Sequence, residues 1–215
     1  MPKHWLKAFS KNMHRNRQHL RRTAVFLTLC IGFIHVASGG SLGDRGVDFS
    51  YDIAPYLARH GCAAADCHGG ATGRGHFKLS LFATDARADY RALTQDLDAR
   101  RVDYHNPRHS LLLLKPTRQM KHRGGKRFTE ESVAYRTLRE WIAQGAPYES
   151  GDKRELVGMR IAVNEGVCHV FAEFKWTDGT VEEREVTAMA RFSSTNTKTL
   201  VVSEEGHYRF VAPGK

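Results

Sequence analysis

The sequence has no apolar run long enough to cross a membrane. Its longest, Ala24 to Val36, holds thirteen residues, whereas a spanning helix needs about twenty. The preceding segment also lacks acidic residues, and seven cations lie between Lys3 and Arg22. A basic start, a short apolar run and the small residues 37–40 are typical of a secretory signal peptide. We therefore predict that residues 1–38 are a signal peptide, with an uncleaved anchor as the alternative. The mature protein is then exported, to the periplasm or the cell surface, and touches a membrane only through this signal or peripherally.

Positive charge is in small excess once this segment is set aside. The chain carries 33 Lys and Arg against 23 Asp and Glu, a formal charge of +10. Removing the seven cations of residues 1–38 leaves 26 against 23, or +3. An excess this small does not indicate a nucleic-acid partner. The remaining charge is uneven, +6 over residues 50–147 and −2 over residues 148–215, and two domains with different surfaces fit this difference.

Cysteine is also scarce, and two of the four cysteines form one motif. Cys30 lies in the predicted signal, and Cys168 has no partner for a disulfide. Cys62 and Cys67 are separated by four residues, and His68 follows directly. The usual signature of covalent haem attachment has two residues between the cysteines, so this is a longer variant. Each thiol can add to a haem vinyl group, and the adjoining imidazole is then the proximal iron ligand. The motif predicts one covalently bound haem c.

A second axial ligand would make such a haem an electron carrier rather than an open site. The loop from Lys115 to Phe128 offers two candidates, Met120 and His122. Methionine there would raise the reduction potential relative to histidine. Lesser candidates elsewhere are His60, His76, His105 and His109. The loop also carries six cations and no acid, so we expect a basic rim that attracts an acidic redox partner protein.

The spacing of apolar residues changes from helical to strand-like along the chain. A short helix is predicted before Cys62, and a longer one over Thr129 to Gln144. Trp141 and Ile142 of the longer helix should pack toward the shorter one. From Glu155 onward, alternating apolar residues and the turn signal Asp178-Gly179 predict the short strands of a β-sandwich.

Several blocks of the first half together resemble the planctomycete-type cytochrome c domain. The blocks are Asp52 to Pro55, Cys67-His68-Gly69, Phe77 to Phe82, Ser110 to Pro116 and Trp141 to Pro147. The resemblance implies haem binding and electron transfer, with Cys62 and Cys67 as thioether positions and His68 as the proximal ligand. The family often has a proline-histidine-glycine-glycine loop before its last helix. His122 matches that histidine, while Lys121 and Arg123 replace the proline and the first glycine.

The second half resembles the bacterial Ig-like group 2 domain, a structural or adhesive module. The matching residues are Asp178-Gly179-Thr180, Glu185-Val186-Thr187, Ala190, Phe192 to Ser194 and Gly206. We therefore predict a multi-domain protein, with a small all-α cytochrome c-like haem-binding domain over residues 48–147. A linker over 148–154 and an all-β Ig-like sandwich over 155–215 follow. The sandwich lacks a last strand, so we expect the chain to be a fragment.

The predicted function is an exported single-haem electron carrier without catalytic activity of its own. One alternative is a peroxidase-like enzyme with an open haem iron. A zinc site is weaker, because zinc needs four ligands and no fourth one is suitably spaced. Another alternative is a disulfide between Cys62 and Cys67 in an exported adhesion or binding module that holds no haem.

Overall fold

The first part of the structure consists of short helices joined by long loops. The computed structural model describes residues 46–149 and 151–212. Four α-helices occur there, and the longest has eleven residues. They are α1 (Ala54–Arg59), α2 (Ala86–Thr94), α3 (Leu111–Leu114) and α4 (Val133–Ala143). A π-helical turn, Phe49–Ile53, leads directly into α1, and 3-10 turns lie at Leu81–Ala83 and Pro107–His109.

Side-chain caps fix where the two longer helices begin. Asp85 accepts a hydrogen bond from the Ala88 N–H at the start of α2, and Ser132 accepts one from the Tyr135 N–H at the start of α4. Such caps satisfy N–H groups that have no partner inside the helix. Thr129, the predicted first residue of the last helix, lies instead in a preceding turn, where its carbonyl accepts a hydrogen bond from the Ser132 N–H. The last helix therefore starts four residues later than predicted.

The core lies where α1, α4 and the π-helical turn meet. Trp141 and Ile142 of α4 are fully buried, and they share one apolar cluster with Tyr56 and Leu57 of α1, as the sequence predicted. Phe49 joins them, with its ring centre 5.5 Å from that of Trp141. This cluster holds α1 in place, so the chain leaves the helix at a fixed point just before Cys62.

The second part of the structure contains two small antiparallel sheets. Strands β1 (Arg154–Asn164), β2 (Val167–Trp176) and β3 (Val181–Glu185) are hydrogen-bonded in that order. The turn between β2 and β3 holds Asp178 and Gly179, as the turn signal predicted. Strands β4 (Leu200–Val202) and β5 (Tyr208–Phe210) form a separate two-stranded sheet. A 3-10 turn, Thr187–Met189, lies between the two sheets in sequence.

A buried ion cluster joins the three-stranded sheet to the helices. Asp52 lies in the π-helical turn and is fully buried. One carboxylate oxygen accepts a hydrogen bond from Arg154 of β1 at 2.5 Å, and the other accepts one from Arg184 of β3 at 2.6 Å. The ring of Tyr51 also meets Phe174 of β2 edge to face, with centres 5.4 Å apart. The inner face of the sheet is thereby fixed to the segment that begins α1.

The predicted fold class is wrong. The described residues contain neither a small all-α cytochrome c-like domain nor an Ig-like sandwich, but four short helices and two small antiparallel sheets. Helices stay short because turns and left-handed residues interrupt the chain between them. On β1, the alternating Met159, Ile161 and Val163 are 65, 69 and 58 % exposed, so no second sheet covers that face. The predicted boundaries at residues 147 and 155 remain a prediction.

Two further predictions concern segments outside the described residues. The signal peptide, residues 1–38, is one, and the missing last strand beyond residue 212 is the other. Within residues 46–149 and 151–212, no helix has the length and apolar character needed to span a bilayer.

Candidate functional site

One cavity of about 900 Å³ brings together the residues of the cysteine-histidine motif and the Lys115–Phe128 loop. Cys62, Cys67, His68 and His122 all line it. Met120, the other predicted ligand, is not among the lining residues and is 40 % exposed. The apolar part of the wall comes from Leu57, Phe77, Leu93, Leu111, Leu112 and Pro116. This size is within the range of about 300–1,000 Å³ that is usual for cofactor and ligand sites.

The Cys62–His68 segment is closed into a compact loop by its own backbone. The His68 N–H donates to the Cys62 carbonyl at 3.0 Å, and the Ala63 N–H donates back to Leu57 in α1 at 3.2 Å. Ala63 is fully buried, so the first residue of the four-residue spacer enters the core. Gly69 passes so close to the Ala63 carbonyl that a Cβ would lie 2.0 Å from its oxygen. Only glycine fits there, and the tight approach turns Cys67 and His68 toward the cavity.

His68 is held by hydrogen bonds to one of its two ring nitrogens. Its Nδ1 lies 3.0 Å from the Arg74 carbonyl oxygen and 3.1 Å from that of Phe77. A proton on Nδ1 makes both contacts favourable and leaves Nε2 as a free lone pair. Burial lowers the pKa of His68 below its ordinary value, which also favours the neutral ring. Metal-binding histidines typically donate their second nitrogen to a carbonyl in this way.

His122 is held in the same manner from the opposite loop. Its Nδ1 lies 2.9 Å from the Gly125 carbonyl oxygen, so Nε2 is again the nitrogen without that bond. The loop is fixed where the Arg127 N–H donates to the Pro116 carbonyl at 2.8 Å. At Gly124, a Cβ would lie 2.7 Å from Cε1 and 3.1 Å from Nε2 of His122. The absence of a side chain there leaves this edge of the imidazole uncovered.

The two imidazoles have the separation expected of two ligands on one metal ion. The ring centres of His68 and His122 are 6.4 Å apart, and the ring planes are within 14° of parallel. Imidazoles that bind one metal ion from opposite sides have ring centres about 6 Å apart, since each metal–nitrogen bond is about 2 Å and the nitrogen lies about 1 Å from the ring centre. The 6.4 Å between the ring centres of His68 and His122 is close to that separation.

Both motif cysteines are free thiols. No disulfide joins any of the described cysteines, Cys168 included, so the disulfide alternative has no bond to support it in this structure. Burial raises the pKa of the Cys62 thiol to about 11. Arg127 donates from Nη2 to the sulfur of Cys67 at 3.2 Å. Both cysteines line the cavity as reduced thiols, which is the form that adds to a vinyl carbon.

In the described part of the chain, the cavity included, no three His, Cys, Asp or Glu side chains converge to hold a metal ion by themselves. His60 packs edge to face on Phe128, with ring centres 5.2 Å apart, and burial lowers its pKa. His76, His105 and His109 are exposed and do not line the cavity. The lesser candidates are thus outside the site.

Sequence reasoning missed the positive charge of the cavity wall. Its lining residues include seven cations and no carboxylate: Arg74, Arg100, Arg101, Lys115, Lys121, Arg123 and Arg127. Four of them belong to the basic loop that was predicted as a rim, but Arg74, Arg100 and Arg101 come from other segments. No motif marks these three, since arginine is common on protein surfaces.

Comparison of the chain with protein-family models, with curated proteins and with solved structures gave no match in any of the three.

Proposed function

We propose that this protein carries one haem c, attached through Cys62 and Cys67, and uses it to transfer single electrons. The observation that carries the proposal is the pair of nearly parallel imidazoles, His68 and His122, 6.4 Å apart in the cavity that both cysteines line. A bound haem would supply a one-electron redox couple. The four side chains would hold it by two thioether bonds and two axial contacts.

The choice of distal ligand follows from the loop. His122 presents an edge that Gly124 leaves free, and its other nitrogen is anchored by the Gly125 carbonyl. Met120 has no comparable position, because it lies among the exposed residues outside the cavity lining. We therefore assign His68 as the proximal ligand and His122 as the distal ligand. Two histidines give a lower reduction potential than a histidine and a methionine.

Two axial ligands favour an electron carrier over the peroxidase-like alternative. An enzyme that reduces peroxide needs a free iron position, which His122 would occupy in the proposed site. The apolar wall, with Leu57, Leu93 and Leu112, limits the access of water to the site. These features support transfer of electrons through the haem edge rather than chemistry at the iron.

The basic rim supports an acidic redox partner. Lys121, Arg123 and Lys126 are exposed at the loop that carries His122, and exposed charges of one sign accelerate encounter with a partner of opposite charge. Such steering weakens as salt rises, because the screening length falls to about 3 Å at 1 M ionic strength. Haem attachment in an exported protein also agrees with the proposed signal at residues 1–38, and we include export in the proposal.

The test is production of the full chain in a host with haem-ligation machinery. A denaturing gel stained for haem and a pyridine haemochrome spectrum should report one covalent haem per chain. The spectrum should be low-spin and unchanged by carbon monoxide in the reduced form. His122→Ala should produce a high-spin, carbon monoxide-binding form, while Met120→Leu should leave the spectrum unchanged. A colourless band would overturn the proposal, and the reverse behaviour of the two variants would overturn the distal assignment.

A further inference from the structure

Arg101 is a buried cation that lines the cavity. Arg101 is 5 % exposed. Its guanidinium lies over the ring of Phe77, with Cζ 4.5 Å from the ring centre. Nη1 donates to the carbonyls of Ala92 and Asp96 at 2.8 and 3.1 Å, and Nη2 donates to that of His76 at 2.8 Å. These bonds fix the orientation of the group and use three of its five N–H donors.

No carboxylate among the described residues forms a salt bridge with this guanidinium. Asp96 accepts a hydrogen bond from Arg101 only through its backbone carbonyl oxygen, and Asp96 is exposed. Arginine stays charged in proteins, and a buried charge without a counterion costs free energy. Arginine is seldom buried unless it is paired. Burial lowers the pKa of Arg101, and the charge of the Asp96 carboxylate opposes this shift without cancelling it.

The cavity around Arg101 also lacks any negative charge from its lining. Six other cations face the same space, and this arrangement suits a ligand with carboxylates. Haem carries two propionate carboxylates, and arginine binds carboxylates through two parallel N–H groups. Phe77 lies between the arginine and the proposed iron ligand, since its ring also contacts that of His68, with ring centres 4.6 Å apart.

We infer that Arg101 is the counterion of a haem propionate and, through that contact, sets the reduction potential. The inference rests on the proposed function and assigns a role to a residue outside the attachment motif. A propionate paired with Arg101 is neutralised. Without the guanidinium, its negative charge would favour the oxidised, more positive iron, and the midpoint potential would fall.

The experiment measures the midpoint potential of the holoprotein by redox titration for the wild type and three variants. Arg101→Gln should shift the equilibrium between reduced and oxidised forms about tenfold toward oxidised, about 59 mV for one electron. Arg101→Lys keeps the charge and should shift it by less than half of that. Arg91→Gln removes an exposed arginine that does not line the cavity and should leave the potential unchanged. Unchanged absorption bands in each variant would show that the axial ligands are intact.

A potential in Arg101→Gln equal to that of the wild type would overturn the inference, and so would an equal fall in Arg91→Gln. If Arg101→Gln does not fold, resonance Raman spectra of the wild type and Arg101→Lys replace it, because the propionate bending bands respond to hydrogen bonds at those carboxylates. A changed band supports the contact, and identical bands overturn it. A chain without covalent haem would instead refute the proposed function, so the two failures are distinguishable.

Discussion

Gly124 provides the sharpest test of the axial assignment. In Gly124→Ala, the new Cβ would lie 2.7 Å from Cε1 and 3.1 Å from Nε2 of His122. Carbon atoms in contact are normally about 3.5–4.0 Å apart, so something must move by several tenths of an ångström. The atoms in the way belong to a side chain, and the imidazole can turn more easily than the backbone can shift. The substitution therefore acts on the proposed ligand itself.

The size of the effect follows from the cost of overpacking. Inserting a methyl group into a filled site costs about 1–3 kcal/mol, which corresponds to about a 5- to 150-fold weaker contact between His122 and the iron. We expect a mixture of low-spin and high-spin haem in the absorption spectrum of Gly124→Ala. Carbon monoxide should bind to the reduced variant and not to the wild type.

Two glycine substitutions serve as controls. A Cβ at Gly125 or at Gly151 would have no atom within 4 Å. Gly125 has a φ of +77°, which asparagine tolerates better than most residues, so we expect Gly125→Asn to keep the backbone of the loop. Gly151→Ala adds a methyl group at an open position outside the loop. Both should remain low-spin. If Gly124→Ala is low-spin and does not bind carbon monoxide, His122 is not the ligand that the geometry indicates.

Three further predictions concern stability and attachment. Asp52→Asn should lower the free energy of unfolding by about 3–5 kcal/mol in urea denaturation, because it leaves the buried Arg154 without its carboxylate partner and removes one of the two carboxylate partners of Arg184. Glu183→Gln, at an exposed pair with Arg160, should cost less than about 1 kcal/mol. Burial lowers the pKa of His60. At pH values between the ordinary pKa and the lowered one, the unfolded chain binds a proton at His60 that the folded chain does not. The free energy of unfolding therefore falls as the pH drops through this range. In urea denaturation below pH 6.5, the free energy of unfolding of His60→Gln should fall less steeply with pH than that of the wild type. An equally steep fall would refute this role of His60. Cys67→Ala should leave a single thioether and shift the pyridine haemochrome band, whereas Cys168→Ala should not; equal spectra would contradict attachment at Cys67.

Residues that the fold brings to one cavity could be chosen from the sequence more readily than the fold itself could be predicted. Cys62, Cys67 and His68 are adjacent in sequence, and a local loop suffices to turn them in one direction. His122 was one of two candidates because the loop pattern does not say which side chain points inward. That choice depends on the hydrogen bond to Gly125 and on the uncovered edge beside Gly124, which are tertiary features.

The fold class could not be predicted because the same local patterns of apolar residues occur in several architectures. Alternation at Met159, Ile161 and Val163 correctly indicates a strand, yet it does not show whether a second sheet covers those side chains. The burial of Arg101 was likewise not predictable, since the three carbonyls that accept its hydrogen bonds belong to separate residues that only the folded chain brings together. Long-range pairing, such as that of Asp52 with Arg154, leaves no mark in a local window.

The pairing of Asp52 with Arg154 and Arg184 has a practical consequence for anyone who wishes to shorten the protein. A fragment that ends after residue 147 would keep the buried Asp52 and lose both of its arginine partners, Arg154 and Arg184. Such a piece should misfold or precipitate even though every proposed haem contact lies within it. The smallest unit to purify for spectroscopy therefore extends at least through Arg184, and the sheet belongs to the proposed haem-binding unit because it fixes the segment that begins α1.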